Sequence, residues 1–488
     1  MNTSESSLPK LICDAHPGWI SLHEAAWRIA ASRVEHPALP GWKPQLCCMP
    51  DSGIIWLWDS CFMQFFAHYG NGTVPVMANL DNLYRLQRED GFIAMAYTIE
   101  SEAPAYGERI NPPLLAWTEL NHWKFSGDDT RIPAVLPRLI RYFDWIKANR
   151  RRASGLYWFE DSGSSGMDNS PRSGYAARHL DGSDICHVDL AAQQALSAKS
   201  IAAMARHVGD TALAERFGQE HSDIVSLLDR YHWDSKTGFY YDVFNRNSPE
   251  DYHNFLNHKT AASFWPLLAD CCNGEQTDAL LQHLLNPEEF WTLHPVATLS
   301  KDDPNFHSTG GYWLGGVWAP INYMLAKALK KQGRPEIARR LAVAHLEAMH
   351  KVFENSDYPG IWEAYAPGSF HPSTRKPLLT PKSDMMVRPD FVGWSGLGPI
   401  ALLIEDILGF EFDAVENRII WNLQTDGRHG IENLQFAGGR VSLIAAETTN
   451  GSRVVSVITE KPVTIRIRHD TTLTEQHLAP GEHDLKIK

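Results

Sequence analysis

The sequence predicts a mainly helical fold, an (α/α)6 toroid followed by a small C-terminal antiparallel β-domain. Three observations predict it. About twelve segments with helical spacing lie between residues 20 and 408. The connections between them alternate between short turns and long, aromatic-rich loops. After Gly409 the pattern changes abruptly to short Val/Ile-rich runs broken by glycine turns.

The clearest helical segments are Ser21–Val34, Pro113–Phe125, Ile132–Asn149, Val188–Val208, Asp210–Tyr231, Val317–Gln332 and Pro335–Phe353, where apolar residues recur at the 3.6-residue period. Asp210 is placed as an N-cap, and Gly333-Arg-Pro335-Glu supplies a glycine stop followed by a proline start. Weaker patterns over Ser60–His68, Pro75–Gln87, Lys259–Leu268, Thr277–Leu285 and Gly393–Ile407 complete the set. No fixed-period repeat accompanies these helices, as a solenoid would require. In a toroid, inner helices surround an axis and the long loops at one end build a site. Beyond Gly409, Arg418–Trp421, Arg440–Ala446, Arg453–Thr459 and Val463–Arg468 read as strands, separated by turns at Asp426-Gly427, Gly438-Gly439 and Asn450-Gly451. The expected division is a catalytic barrel over 1–408 and a β-sandwich-like domain over 409–488.

Bulk properties narrow the function. The formal charge of −13 argues against a broad surface for nucleic acid or anionic lipid. No apolar run approaches the roughly 18 residues of a membrane helix. The start, MNTSESSLPKLICDAHPGW, lacks the basic head and apolar core of a secretory signal. Seven cysteines, odd in number and without CxxC spacing, read as reduced thiols of a cytoplasmic protein. Seventeen tryptophans and fifteen tyrosines, many in Gly-, Asp- or Asn-rich loops, suit carbohydrate, whose C–H faces stack on flat amphipathic rings, with a tryptophan-rich core as the alternative. Oligomeric state is left open.

Glycoside cleavage by inversion needs a carboxylic acid to protonate the leaving oxygen and a carboxylate to activate water from the opposite face. Three carboxylates sit among glycines and aromatics. Asp168 lies in Gly163-Ser-Ser-Gly-Met-Asp-Asn-Ser-Pro-Arg172, a loop too rich in Gly and Ser for a helix, where an Asx-turn is the bland alternative. Glu363 follows a turn in Pro359-Gly-Ile-Trp362-Glu-Ala-Tyr365-Ala-Pro367, with a satisfied loop-edge charge as its alternative. Asp59 stands in the apolar stretch Ile54-Ile-Trp56-Leu-Trp58-Asp-Ser, where burial of a charge demands a partner or a task, unless it serves as an N-cap. A fourth cluster, Gly310-Gly-Tyr312-Trp313-Leu-Gly-Gly-Val-Trp318-Ala-Pro320, displays three large rings on glycine-rich backbone and suits a stacking wall, with a tightly packed glycine–aromatic helix entry as its alternative. Dinucleotide, P-loop, nucleophile-elbow and His-Glu-x-x-His signatures are missing. His179 and His187 read as loop and helix-start residues, so neither a metal nor a cofactor is expected.

These segments resemble the (α/α)6 clan of inverting α-glycosidases. The similarity is nearest to glycoside hydrolase family 63 and its mannosylglycerate/glucosylglycerate hydrolase-type members, with family 37 trehalases more distant. The matching pieces run in the family's order over about residues 50–408: Trp56-Leu-Trp-Asp59-Ser, Gln87 with Asp90-Gly91-Phe, Asn111-Pro-Pro-Leu-Leu-Ala-Trp117, Gly166-Met-Asp168-Asn-Ser-Pro-Arg172, His187-Val-Asp189-Leu, Gly311 through Asn322-Tyr, Trp362-Glu363 and Gly393-Trp394-Ser-Gly-Leu-Gly398-Pro. The resemblance implies that Asp168 is the general acid and Glu363 the general base. It places Trp56, Trp58, Asp59, Gln87, Tyr312, Trp313, Trp318, Trp362, Tyr365 and Trp394 around the substrate, with Arg172 behind the acid loop. The implied substrate is a small saccharide or glycosylated small molecule carrying an α-glucoside or α-mannoside.

The chain departs from the family pattern after the base, with Glu363-Ala-Tyr-Ala-Pro367 and a long loop, Gly368–Asp390, containing Arg375, Lys376, Lys382 and Arg388. Those charges keep an acidic leaving group such as glycerate in view, against the reading of a solvated loop. The rival functions are a sugar epimerase or lyase on a similar scaffold and a non-catalytic carbohydrate-binding protein.

Overall fold

A computed structural model describes residues 8–49, 53–173, 184–245, 255–375, 385–447, 453–469 and 472–487. His179, Lys376, Lys382, the Asn450-Gly451 turn and the first seven residues lie outside these. The chain is mainly helical, with a separate β-sheet region at its C-terminal end.

Among the described residues the α-helices are α1 (Pro17–Ser32), α2 (Leu57–Ala67), α3 (Ala78–Arg85), α4 (Leu115–Ser126), α5 (Arg131–Asn149), α6 (Val188–His207), α7 (Thr211–Tyr231), α8 (Trp265–Leu268), α9 (Gly274–Leu285), α10 (Ala319–Lys331) and α11 (Pro335–Phe353). A π-helix, Gly398–Ile407, ends the helical part.

Burial separates these helices into two kinds. Every residue of α2 and of the π-helix is buried, and so is nearly all of α6 and α10. A helix apolar all round belongs in an interior. By contrast α7 buries only Ala214, Phe217, Ile224, Leu228 and Tyr231, a single stripe. The interior helices touch in sequence: α2 packs on α4, α4 on α6, α6 on α8, α8 on α10 and α10 on the π-helix, which returns to α2. The amphipathic helices lie against them, α7 and α5 on α6, and α11 on α10 and the π-helix.

Two features adjust the helical expectations. Helix α1 begins at Pro17, ahead of Ser21, because proline's fixed φ and missing N–H suit a first turn. The segment near Gly393 is a 3-10 turn, Ser395–Leu397, followed by the π-helix.

The strands used below are β1 (Lys10–Cys13), β2 (Ile54–Trp56), β3 (Ala96–Thr98), β4 (Phe410–Asp413), β5 (Arg418–Asn422), β6 (His429–Phe436), β7 (Gly439–Glu447), β8 (Arg453–Thr459), β9 (Val463–His469), β10 (Thr472–Leu478) and β11 (Gly481–Ile487). Two sheets form the C-terminal region, one in the order β1-β6-β7-β8-β11 and one in the order β4-β5-β9-β10. Val441, Leu443, Ala445, Val455 and Val457 of the first sheet share one core with Ile419, Trp421, Ile465 and Ile467 of the second.

The region is not purely antiparallel. Strands β5 and β9 run parallel, with Arg418 opposite Thr464. The chain between them builds three strands of the other sheet, which is the long crossover that parallel pairing requires. An N-terminal strand, β1, joins this sheet by pairing with β6, Lys10 opposite Glu432. The helical and β regions meet through Phe125, which packs edge-on to Phe412 and Phe436, and through a hydrogen bond from the Trp421 indole N–H to the Leu408 carbonyl (2.8 Å).

Candidate active site

The loops that precede the interior helices converge on a cavity of about 450 Å³, within the roughly 300–1,000 Å³ of small-molecule sites. Its wall includes Trp56, Trp58 and Asp59 at the start of α2, Asn111 before α4, Asp168, Tyr312 and Trp313 before α10, Glu363, and Trp394 before the π-helix. Eight residues expected from sequence at the substrate site are therefore brought together: Trp56, Trp58, Asp59, Asp168, Tyr312, Trp313, Glu363 and Trp394.

The aromatic part of the wall is packed ring against ring. Trp313 stacks on Trp318 with ring centroids 4.1 Å apart and planes within 5°. Trp58 and Trp318 each pack edge-on to Trp394, at 5.7 Å and 5.3 Å. Glycine makes this approach possible at one critical place. Gly166 has φ +76, and a Cβ there would lie 2.6 Å from the Trp58 ring. Two buried polar atoms of cavity-lining residues, Trp56 Nε1 and Asn111 Oδ1, have no hydrogen-bond partner among the described residues. A donor and an acceptor left open on a cavity wall are what a hydroxyl-rich ligand satisfies.

The Asp168 loop is held from within. The Asp161 carboxylate accepts from the Ser164 N–H (2.8 Å), and the Met167 carbonyl accepts from the Ser170 N–H (2.9 Å). Pro171 then opens a single 3-10 turn, Pro171–Ser173. Its Arg172 is fully buried, donating to Asp189 (2.6 and 2.8 Å) and to Asp242 (2.6 and 2.9 Å).

Glu363 is 2% exposed and its carboxylate accepts from three donors. These are the Tyr312 hydroxyl (3.2 Å), the Arg388 backbone N–H (3.2 Å) and the Arg388 guanidinium (3.2 and 3.3 Å). An ionised carboxylate is the form that accepts from all three. Burial, with the Glu363 and Asp168 charges beside it, holds the Tyr312 hydroxyl well above its usual range, so it stays a donor. Arg388 and Arg375 both line the cavity, delivered by two short paired segments in which the Arg375 N–H donates to the Met385 carbonyl (2.7 Å).

Asp59 is buried in the first turn of α2, where it hydrogen-bonds the Cys48 thiol. Burial pushes its carboxyl up to about 7, against that hydrogen bond and with help from the Glu363 and Asp168 charges. The unfolded carboxyl, near 3.8, is ionised over most of that interval, so the native state holds the extra proton. Stability from this group is full below the unfolded value and is lost as pH rises through about 7, by roughly 4 kcal/mol. We expect the melting temperature of the protein to fall between pH 5 and 7.5 relative to that of Asp59→Asn, then run level. Parallel melting curves across that range check it, and a constant gap counts against it.

Five expected site residues stand off the cavity wall. Gln87 donates to the Gly91 and Arg138 carbonyls (2.9 Å each), a loop-bracing role. Arg172 is committed to its two aspartates. Trp318 lies behind Trp313, its indole N–H on the Tyr312 carbonyl (3.3 Å). The Trp362 indole N–H donates to the Tyr358 carbonyl (3.1 Å). Tyr365 accepts the Trp362 N–H (3.1 Å) and packs on His294. The spacing that marks a loop as part of a site does not say which side chain of the loop turns inward.

Sequence reasoning passed over Met49, Tyr106 and Phe391, which also line the cavity. Tyr106 was accessible to the same logic, since it stands beside Gly107 in a turn and packs against Trp56 at 5.3 Å. His187 accepts the Phe159 N–H (3.1 Å) and is pushed down to about 4 by burial, so it serves as a structural acceptor. Among the described residues no group of three His, Cys, Asp or Glu is placed to hold a metal ion. No helix there is long and apolar enough to cross a membrane.

The family model described as the mannosylglycerate hydrolase MGH1-like glycoside hydrolase domain matches residues 54–373. An uncharacterized protein of Borreliella burgdorferi is 27% identical over 401 residues, covering 80% of each chain. A probable mannosyl-oligosaccharide glucosidase of Schizosaccharomyces pombe is 24% identical over 291 residues, 54% of this chain and 33% of that one. The crystal structure of a family 63 mannosylglycerate hydrolase from Thermus thermophilus in complex with glucose is similar in fold, with a TM-score of 0.61, 18% identity, and coverage of 78% of this chain and 99% of that chain.

Proposed function

The chain belongs to the family of mannosylglycerate hydrolase MGH1-like glycoside hydrolases, and on that premise we propose that it cleaves an α-glycosidic bond with inversion, Asp168 acting as general acid and Glu363 as general base. It is a glycoside hydrolase, and membership of this family does not favour an epimerase, a lyase or a non-catalytic binding protein. The observation that carries the proposal is the meeting of Asp168 and Glu363 on one aromatic-walled cavity from loops far apart in the chain.

In the proposed reaction the Asp168 carboxyl gives its proton to the glycosidic oxygen as that bond breaks. Glu363 takes a proton from a water attacking the anomeric carbon from the other face. Tyr312 and Arg388 hold the base's oxygens in place. Trp58, Trp313 and Trp394 exclude bulk water and offer faces for stacking, while Asp59 receives sugar hydroxyls. Arg375 and Arg388 on the wall favour a small leaving group that carries an acid, with glucose or mannose as the sugar.

The closed circuit of contacts among interior helices supports an (α/α)6 toroid over residues 1–408, with 409–488 as a β-sandwich-like domain to which β1 contributes. None of the seven cysteines, all among the described residues, is in a disulfide, which supports a reducing, cytoplasmic setting.

Proton NMR of the first seconds of hydrolysis of an α-glucosyl or α-mannosyl substrate tests the mechanism. Inversion releases the β-anomer, which then mutarotates. Release of the α-anomer would falsify the assignment of Glu363 as base to water.

A further inference from the structure

The acid and base of an inverting site work only at a set separation, roughly 6.5–9.5 Å, so something must fix the distance between the loops that carry them. Asp168 and Glu363 lie on different loops that enter the cavity from different parts of the chain. One side chain ties the acid loop to the loop that grips the base.

Asn169, directly after the acid, reads both kinds of backbone group on the glycine-aromatic loop. Its amide N–H donates to the Gly311 carbonyl (2.9 Å), and its amide oxygen accepts from the Trp313 N–H (2.9 Å). The residue between those two anchor points is Tyr312, held at φ 67, a left-handed conformation uncommon outside glycine. Tyr312 is the residue whose hydroxyl donates to Glu363. The same turn is pinned from the other side by Thr374, which receives the Gly311 and Tyr312 N–H groups at 3.1 Å and 2.6 Å. A short bonded path therefore runs from Asp168 through Asn169 to Gly311–Trp313, and through Tyr312 to Glu363.

We infer that Asn169 is a positioning residue that locks the acid loop to the Tyr312 turn and so sets where Asp168 stands relative to the glycosidic oxygen. It does not touch the reacting atoms in this role. Both of its hydrogen-bonding faces are used, which is why an amide fits where a carboxylate would meet the Gly311 carbonyl with a second acceptor. This inference rests on the proposed roles of Asp168 and Glu363.

The test compares two leaving groups. Glucosyl fluoride departs with little help from an acid, whereas glucosylglycerate needs its leaving oxygen protonated; the mannosyl pair is run in parallel. For Asn169→Ala we expect kcat on the glycosylglycerate to fall on the order of 100-fold, with KM within about 3-fold, while kcat on the fluoride stays within about 5-fold. Equal losses on both substrates, or no loss on either, overturn the inference. A general loosening of the fold would lower both rates together, so the split separates positioning from structure. Asn169→Gln, which keeps both hydrogen-bonding groups on a longer arm, is expected to show the same split and serves if the alanine variant does not fold. Asp168→Asn is the reference: if it lacks the split, the assignment of the acid itself fails, and if it alone shows the split, only the role of Asn169 fails.

Discussion

Glu363→Gln is expected to leave a folded protein that still takes up its sugar but turns over on the order of 1,000-fold more slowly, and Asp168→Asn to do the same on substrates with poor leaving groups. General acid and base groups each contribute roughly 10²–10⁴ in rate. The glutamine amide keeps the shape of Glu363 and its oxygen still receives the Tyr312 hydroxyl, while its NH2 replaces the oxygen that accepted from the Arg388 backbone N–H. What it cannot do is accept the proton of the attacking water. Arg388 loses its ion pair, but its side chain is 36% exposed and water replaces the partner at small cost. The double variant should be little worse than the poorer single one, because the two groups act on one bond cleavage as a unit. Steady-state kinetics with ligand-induced shifts in melting temperature read turnover and binding separately. Retention of more than about a tenth of wild-type kcat by Glu363→Gln would remove it as the base, and unchanged kcat for Asp168→Asn on a glycosylglycerate would remove that residue as the acid.

The legibility of this site in sequence follows from its chemistry. Asp59, Asp168 and Glu363 stood out because a carboxylate among glycines and tryptophans is expensive unless used. Their convergence in one cavity needed the fold, since loops far apart in the chain carry no mutual mark. Trp313 and Trp318 show the limit well. Both sit in one Gly-rich run, yet the first faces the cavity while the second is its backing, a difference set by the turn through Tyr312.

The helices were readable for the reason that α7 and α11 keep one apolar stripe. Helix α2 and the π-helix were fainter, because burial of every residue erases periodicity, whereas the interior helices α6 and α10 keep a few unburied positions at helical spacing. Strands β7 and β8 alternate cleanly and were visible. Strand β6 was not, because an irregularity between Ile431 and Leu434, with Asn433 at φ 60, interrupts its alternation. Strands β10 and β11 were missed for a different reason: they are edge strands, largely exposed on both faces, and have almost no buried positions to make a pattern.

The largest stability effect is expected at Arg172, three positions beyond Asn169 and behind the Asp168 loop. Its guanidinium is 2% exposed and satisfies two buried carboxylates at once, Asp189 at the head of α6 and Asp242. Burial alone would push the Asp242 carboxyl up, but Arg172, with help from His187 and the Val188 N–H, outweighs it and holds the group at about 2. Arg172→Met removes the cation and strands both carboxylates in the interior. Breaking a buried pair in this way costs about 3–5 kcal/mol. The sign with pH follows from the same contacts. The Asp242 carboxyl, held below its unfolded value, contributes stability above that value, so the wild type gains at neutral pH, whereas the variant recovers as its stranded Asp242 carboxylate takes up a proton. Melting temperatures of the two proteins should therefore differ most near pH 7.5 and draw together toward pH 4.5. Adding Asp189→Asn and Asp242→Asn to Arg172→Met should return much of the loss, since two neutral amides no longer need a cation. A pH-independent gap, or no recovery in the triple variant, would mean that Arg172 acts by filling space and not by neutralising charge.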